Sequence, residues 1–159
     1  MHTLPASATR PTSLVSPRPL SVVDLFRVGI GPSSSHTVGP MRAGAAFVSE
    51  LAGSPRANEV RHITVDLFGS LGATGRGHST DRAVLLGLAG HAPETVSIPE
   101  VESLLPALAD SGRLPLAGIA QVQFDITKDM RFVPRTVLPY HVNALTITAC
   151  DALGETLLC

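Results

Sequence analysis

Apolar side chains at Val38, Met41, Ala45, Val48 and Ala52 recur at spacings of three and four, which lays them along one face of a helix. Pro40 fits only the first turn of that helix, and Gly53-Ser54-Pro55 end it. Residues 60–68 (VRHITVDLF) alternate instead and are rich in branched side chains, so they read as a strand. The run 69–79 is glycine-rich, and the pattern places no regular element there. A second helix is expected from Thr80 to Ala89, stopped by Gly90. Ser97 and Glu100 have the spacing of a capping box before a third helix bearing Val101, Leu104, Leu105 and Leu108. Pro106 predicts that this helix is kinked or short. Further strands are expected at 120–126, 131–133, 143–150 and 155–158. Helices and strands do not alternate as βαβ units, so the fold class is α+β, a mainly antiparallel sheet packed with helices.

Residues 1–20 differ, with four prolines, two arginines and no acid. They read as a flexible tail; no apolar core of a secretory signal follows the start, so the cytoplasm is the expected location. Residues 21–26 (SVVDLF) read as a short helical turn, and residues 21–159 form the expected single domain. Hydrophobic residues are 44% of the 159, enough for a core and too many for a disordered chain. A net charge of -1 and 4% aromatics give no drive towards nucleic acid, and no apolar run could span a membrane.

Three polar clusters fall at predicted loops or element ends, where function concentrates. Ser33-Ser34-Ser35-His36 precedes the first helix, whose free N–H groups and dipole suit a carboxylate or phosphate. One serine there would be an ordinary N-cap; three with a histidine behind Gly-Ile-Gly-Pro ask for more. Gly75-Arg76-Gly77-His78-Ser79-Thr80-Asp81 offers close backbone approach and, in His78, an acid or base for neutral pH. Asp81 either orients that imidazole or caps the helix. This run is not a P-loop, because the lysine is missing. Tyr140-His141-Val142-Asn143 opens a predicted strand and means little by itself. His2, His62 and His91 have bland settings, Arg42 suits an anion or an ion pair, and Cys150 and Cys159 are not spaced as a CxxC pair. No HExxH occurs and no histidines stand at i, i+4, so no metal site is assigned to this chain.

At these same residues the sequence resembles the iron–sulfur-dependent bacterial L-serine dehydratases. Residues 21–43 (SVVDLFRVGIGPSSSHTVGPMRA), 65–88 (VDLFGSLGATGRGHSTDRAVLLGL) and 138–145 (LPYHVNAL) resemble three blocks of that family, with 118–126 (GIAQVQFDI) between. The resemblance implies the β part of an L-serine ammonia-lyase, which removes water from L-serine to give pyruvate and ammonia. It implies an α domain or subunit as partner, holding a [4Fe–4S] cluster whose open iron activates the β-hydroxyl. It implies catalytic roles for His78, His36 and His141, with His78 as base. Substrate binding falls to Ser33, Ser34, Ser35, Asn143, Thr80 and Asp81. The expected assembly is a homo- or hetero-oligomer, and the chain alone is expected to be inactive. Two positions depart from the family pattern: Ser79 stands where glycine is favoured, and Val142 where proline usually follows the histidine.

The family's β part also resembles the allosteric substrate-binding domain of some phosphoglycerate dehydrogenases. That likeness supports the fold expectation and supplies an alternative function, a non-catalytic anion-binding regulatory module. A binding module needs no base, so three retained histidines favour the lyase. A truncated remnant is a third reading, suggested by the apolar predicted strand at the end of the chain.

Overall fold

The computed structural model describes residues 31–159; the expected tail 1–20 and turn 21–26 lie outside the described residues. Helix α1 (Val38–Ala52) is followed by a 3-10 turn (Ala57–Glu59) and strand β1 (His62–Phe68). Three helices come next: α2 (Gly69–Thr74), α3 (Thr80–Leu88) and α4 (Ile98–Ser111). Strands β2 (Arg113–Leu116), β3 (Ala120–Gln123), β4 (Met130–Val133), β5 (Asn143–Cys150) and β6 (Thr156–Leu158) complete the chain.

The strands form one mixed sheet in the order β2-β3-β1-β5-β6, with β4 also on β1. The β1–β5, β2–β3 and β5–β6 ladders are antiparallel, and the long β1–β5 ladder runs from His62↔Cys150 to Phe68↔Ala144. The expected antiparallel character therefore dominates, within an α+β fold. Two parallel contacts share the other edge of β1: β3 at His62↔Gln123, then β4 from Val65↔Met130 to Phe68↔Val133. Ile63, Val65 and Leu67 alternate inward, fully buried, so strand periodicity alone builds the centre of the core. Leu51, Leu85, Leu88, Leu114 and Leu116 close over them, also fully buried.

Helices α1 and α3 cross at two glycines. A Cβ on Gly44 would stand 2.6 Å from the Val84 carbonyl oxygen, and one on Gly87 only 2.0 Å from that of Met41. This contact turns the buried stripe of α1 onto Val38, Met41, Gly44, Val48 and Leu51. The expected Ala45 is half-buried and Ala52 exposed, because glycines, which hydropathy overlooks, set the crossing.

Four elements differ from the sequence reading. The glycine-rich run contains α2, since Gly69 and Gly72 serve close packing rather than flexibility: a Cβ on Gly72 would meet the Leu67 carbonyl oxygen at 2.5 Å. Strand β2 was hidden by Pro115, which a strand tolerates at the sheet edge it occupies here. Helix α4 is not short; it continues through Pro106 for 14 residues, and Glu102, one turn before the proline, is exposed. Its capping box is formed as expected, Glu100 N–H donating to Ser97 Oγ and Ser97 N–H to Glu100 Oε2 at 2.7 Å. Strand β3 ends at Gln123, three residues before the expected end, because the Asp125 carboxylate folds the next residues into a turn by accepting from Thr127.

Two measurements follow from these contacts. Gly87→Ala should lower the unfolding free energy by about 1–3 kcal/mol through overpacking, read as a lower urea midpoint; an unchanged midpoint would mean the helices have room. Hydrogen bonds from Thr127 and Lys128 hold the Asp125 carboxyl down at about 2. A depressed acid stabilises the fold above its ordinary range and loses that effect as pH falls through its folded value, so Asp125→Asn should flatten the acid limb of stability between about pH 4 and 2.

Candidate active site

The C-terminal end of β1 gathers the three clusters. There β5 begins, β4 ends, and both α1 and α3 start. His36 and His78 each stand two residues before one of those helices. Neither N-cap residue, Thr37 or Ser79, makes a side-chain cap. The serines therefore do something other than ordinary capping: Ser35 Oγ lies 3.0 Å and Ser33 Oγ 3.3 Å from His36 Nδ1, with 3.2 Å between the two hydroxyls. Ser34 is exposed, and its carbonyl accepts from Gly39 N–H at 3.1 Å.

The His36 ring is buried, 8% exposed, and its other nitrogen is also held. Nε2 lies 3.1 Å from Thr74 Oγ1 and 3.2 Å from Ser70 Oγ. Sequence reasoning missed Ser70 and Thr74. Both sit on α2, in the run where no element was placed, and their i, i+4 spacing becomes visible only once that helix is known.

His78 lies against His36, with ring centroids 4.8 Å apart and planes tilted by 37°. Its Nδ1 is 3.0 Å from the Thr74 carbonyl oxygen. A carbonyl only accepts, so the Nδ1 carries the proton and the neutral ring keeps its lone pair on Nε2. Among the described residues nothing hydrogen-bonds that Nε2. The first two clusters also touch through backbone, since a Cβ on Gly31 would be 3.0 Å from the His78 carbonyl oxygen.

The third cluster is tied in through α2. Ser70 N–H donates to the Val142 carbonyl at 2.9 Å, and Gly69 bridges Asn143. Ser70 thus grips His36 by its side chain and the neighbour of His141 by its backbone. In His141 the order is reversed: Nδ1 accepts from Asn143 N–H at 2.9 Å, which leaves the proton on Nε2 of the exposed, neutral ring. Asn143 Oδ1 is buried with no hydrogen-bond partner among the described residues. Thr80 is fully buried and its hydroxyl likewise has no hydrogen-bond partner among the described residues. Asp81 is half-buried and accepts from Arg82 N–H at 2.8 Å, one helical turn from His78.

The remaining residues stand apart. His62 Nε2 pairs with Asp129 at 3.3 Å beside a cavity of about 750 Å³, at the opposite end of β1, roughly 20 Å away at ~3.3 Å per strand residue. That cavity holds none of the three clusters. Arg42 forms an ion pair with Glu94. Cys150 is half-buried and Cys159 exposed, each a free thiol. No group of three His, Cys, Asp or Glu side chains converges among the described residues, so they do not fit an iron–sulfur cluster.

An α+β domain with two imidazoles in ring contact, hydroxyls around one and a free basic nitrogen on the other, has the equipment of a proton-transfer site. The chain belongs to the serine dehydratase beta chain family, whose model matches residues 21–159. It is 47% identical over 139 residues both to the L-serine dehydratase of Streptomyces coelicolor and to L-serine dehydratase TdcG of Escherichia coli K12. An L-serine dehydratase of Helicobacter pylori is 40% identical over 137 residues. These matches cover 86–87% of this chain but only 30% of each relative, so the chain spans less than a third of their length.

Ser79 adopts a left-handed conformation (φ 60°, ψ 34°), which explains why glycine suits this position. The cost of the serine is backbone strain beside His78, beyond the added hydroxymethyl bulk. Ser79→Gly should therefore raise stability by about 1 kcal/mol, seen as a higher denaturation midpoint; a lower midpoint would show that the Ser79 Oγ contact with Arg82, at 3.3 Å, outweighs the strain.

Proposed function

We propose that this chain is the β part of an L-serine ammonia-lyase and supplies the proton-handling side of its active site. The observation that carries the reading is the placement of protons on the histidines. His78 gives its Nδ1 proton to the Thr74 carbonyl and so presents Nε2 as a base. His141 spends its Nδ1 lone pair on Asn143 N–H and so presents Nε2–H as a donor.

The chemistry follows from those two nitrogens. His78 Nε2 takes the Cα proton of L-serine, the Cα–H electron pair becomes the Cα=Cβ bond, and the β-hydroxyl leaves as water with the proton given by His141 Nε2–H. The resulting enamine tautomerises to an imine, which water hydrolyses to pyruvate and ammonia. The substrate carboxylate is held between the starts of α1 and α3, where helix dipoles and the hydroxyls of Ser33 and Ser35 favour negative charge. Asn143 meets that carboxylate only through its amide N–H groups, because its buried Oδ1 would repel it. Ser34 lies on the exposed side of the same turn, and Asp81 steadies the start of α3.

The α part, expected by resemblance to hold the cluster, would supply a Lewis acid for departure of the hydroxyl; this chain covers 30% of each relative, which leaves room for such a part. Two cysteines, one of them half-buried, do not make the three or four thiolates a cluster takes. The working enzyme is thus a fused or hetero-oligomeric α–β assembly acting on L-serine.

The test is an anaerobic reconstitution with a serine dehydratase α part, followed by a pyruvate assay. The chain alone should form no pyruvate, and the complex should. His78→Ala should cut turnover by at least about 10²-fold while the complex still assembles. Near-wild-type turnover in that variant removes His78 as the base.

A further inference from the structure

We propose that Thr74 is a positioning residue that sets the proton placement of both His36 and His78; its effect on turnover rests on the lyase reading, but the placement itself does not. The argument is a count of protons. Thr74 Oγ1 donates its one hydrogen to the Ser70 carbonyl, 3.0 Å away and one helical turn back. Towards His36 Nε2, at 3.1 Å, it can then only accept. His36 Nε2 therefore carries the proton, shared between Thr74 Oγ1 and Ser70 Oγ. The lone pair of His36 is left on Nδ1, facing the Ser35 and Ser33 hydroxyls.

The carbonyl of the same residue fixes the second ring. Thr74 is the last residue of α2, so its C=O is one of the acceptors a helix end leaves without an internal partner. It accepts from His78 Nδ1–H at 3.0 Å and from His78 N–H at 3.2 Å. One residue thus turns the Nε2–H of His36 inwards and keeps the Nε2 of His78 unprotonated and outwards. The two rings, 4.8 Å apart, are held as a pair with complementary roles. A helix of six residues, begun by the turn at Gly69, places hydroxyl and carbonyl together at this point.

Nitrogen-15 NMR of the histidine rings in this chain, at about pH 8.5 where an ordinary imidazole of pKa ~6.5 is neutral, reads the placement directly. The wild type should show His36 as the Nε2–H tautomer and His78 as the Nδ1–H tautomer. Thr74→Val removes the hydroxyl but keeps the carbonyl: His36 should lose its single tautomer while His78 keeps its own. Thr74→Ser should restore His36. An unchanged His36 signal in the Val variant overturns the proposal, and so does loss of the His36 tautomer in the Ser variant, which tests it even if the Val variant folds poorly. In the α–β complex Thr74→Val should lower kcat roughly fivefold with KM little changed, as loss of one hydrogen bond of about 1 kcal/mol implies, and Thr74→Ser should recover it. If the tautomers respond as expected but no complex forms pyruvate, the wild type included, the lyase reading falls and the positioning role stands.

Discussion

The turn at Gly69 is the constraint on which the site depends. Strand β1 ends at Phe68, and the chain must reverse into α2 at once, with φ of +52° at Gly69. A Cβ there would lie 2.4 Å from the Val142 carbonyl oxygen, so only glycine admits both the turn and the approach of the loop before β5. Gly69 N–H donates to the Thr136 carbonyl and Ser70 N–H to that of Val142, which fastens this loop to the start of the helix. Ser70 and Thr74 then face His36, and the end of α2 faces His78. One backbone corner thereby connects residues that the sequence separates by more than a hundred positions.

The architecture around that corner has a consistent electrostatic logic. Two helices start where the histidines stand, and neither start is closed by a capping side chain, so both positive ends face the same region. The interior of the domain stays apolar, with Leu, Val and Ile packed on β1, and of the buried polar residues described, His36, Thr37 and Thr80 stand at the end where the histidines meet and Asp129 at the other. Around the His36 ring every hydrogen-bond partner among the described residues is a hydroxyl, and that of Thr74 can only accept. The cavity beside His62 at the other end has a different character, an apolar bed of Leu105, Leu108, Phe124 and Ile126 edged by charges.

Much of this was legible in the residues. Periodicity gave α1 and β1, a glycine stop marked the end of α3, and a capping box marked the start of α4. The three polar clusters stood out by composition, and family resemblance linked them. What stayed hidden was governed by tertiary contact. Gly69, Gly72 and Gly75 look like loop formers until the close approach of Val142, Leu67 and Leu71, respectively, is known. Pro115 argues against a strand until that strand is seen to lie at an edge. Ser70 and Thr74 look like ordinary surface hydroxyls until α2 aligns them. Thr80, expected among the substrate-binding residues, is fully buried, and spacing at a helix start does not fix burial.

The central claim is that imidazoles from two distant segments meet at the end of β1. A nuclear Overhauser measurement between the ring protons of His36 and His78 tests it most directly. With centroids 4.8 Å apart, assigned ring protons should give a clear cross-peak, one that persists in His141→Ala. Assigned rings with no cross-peak at any mixing time would contradict the account, because the paired placement of base and hydroxyl-held histidine would then not exist in solution.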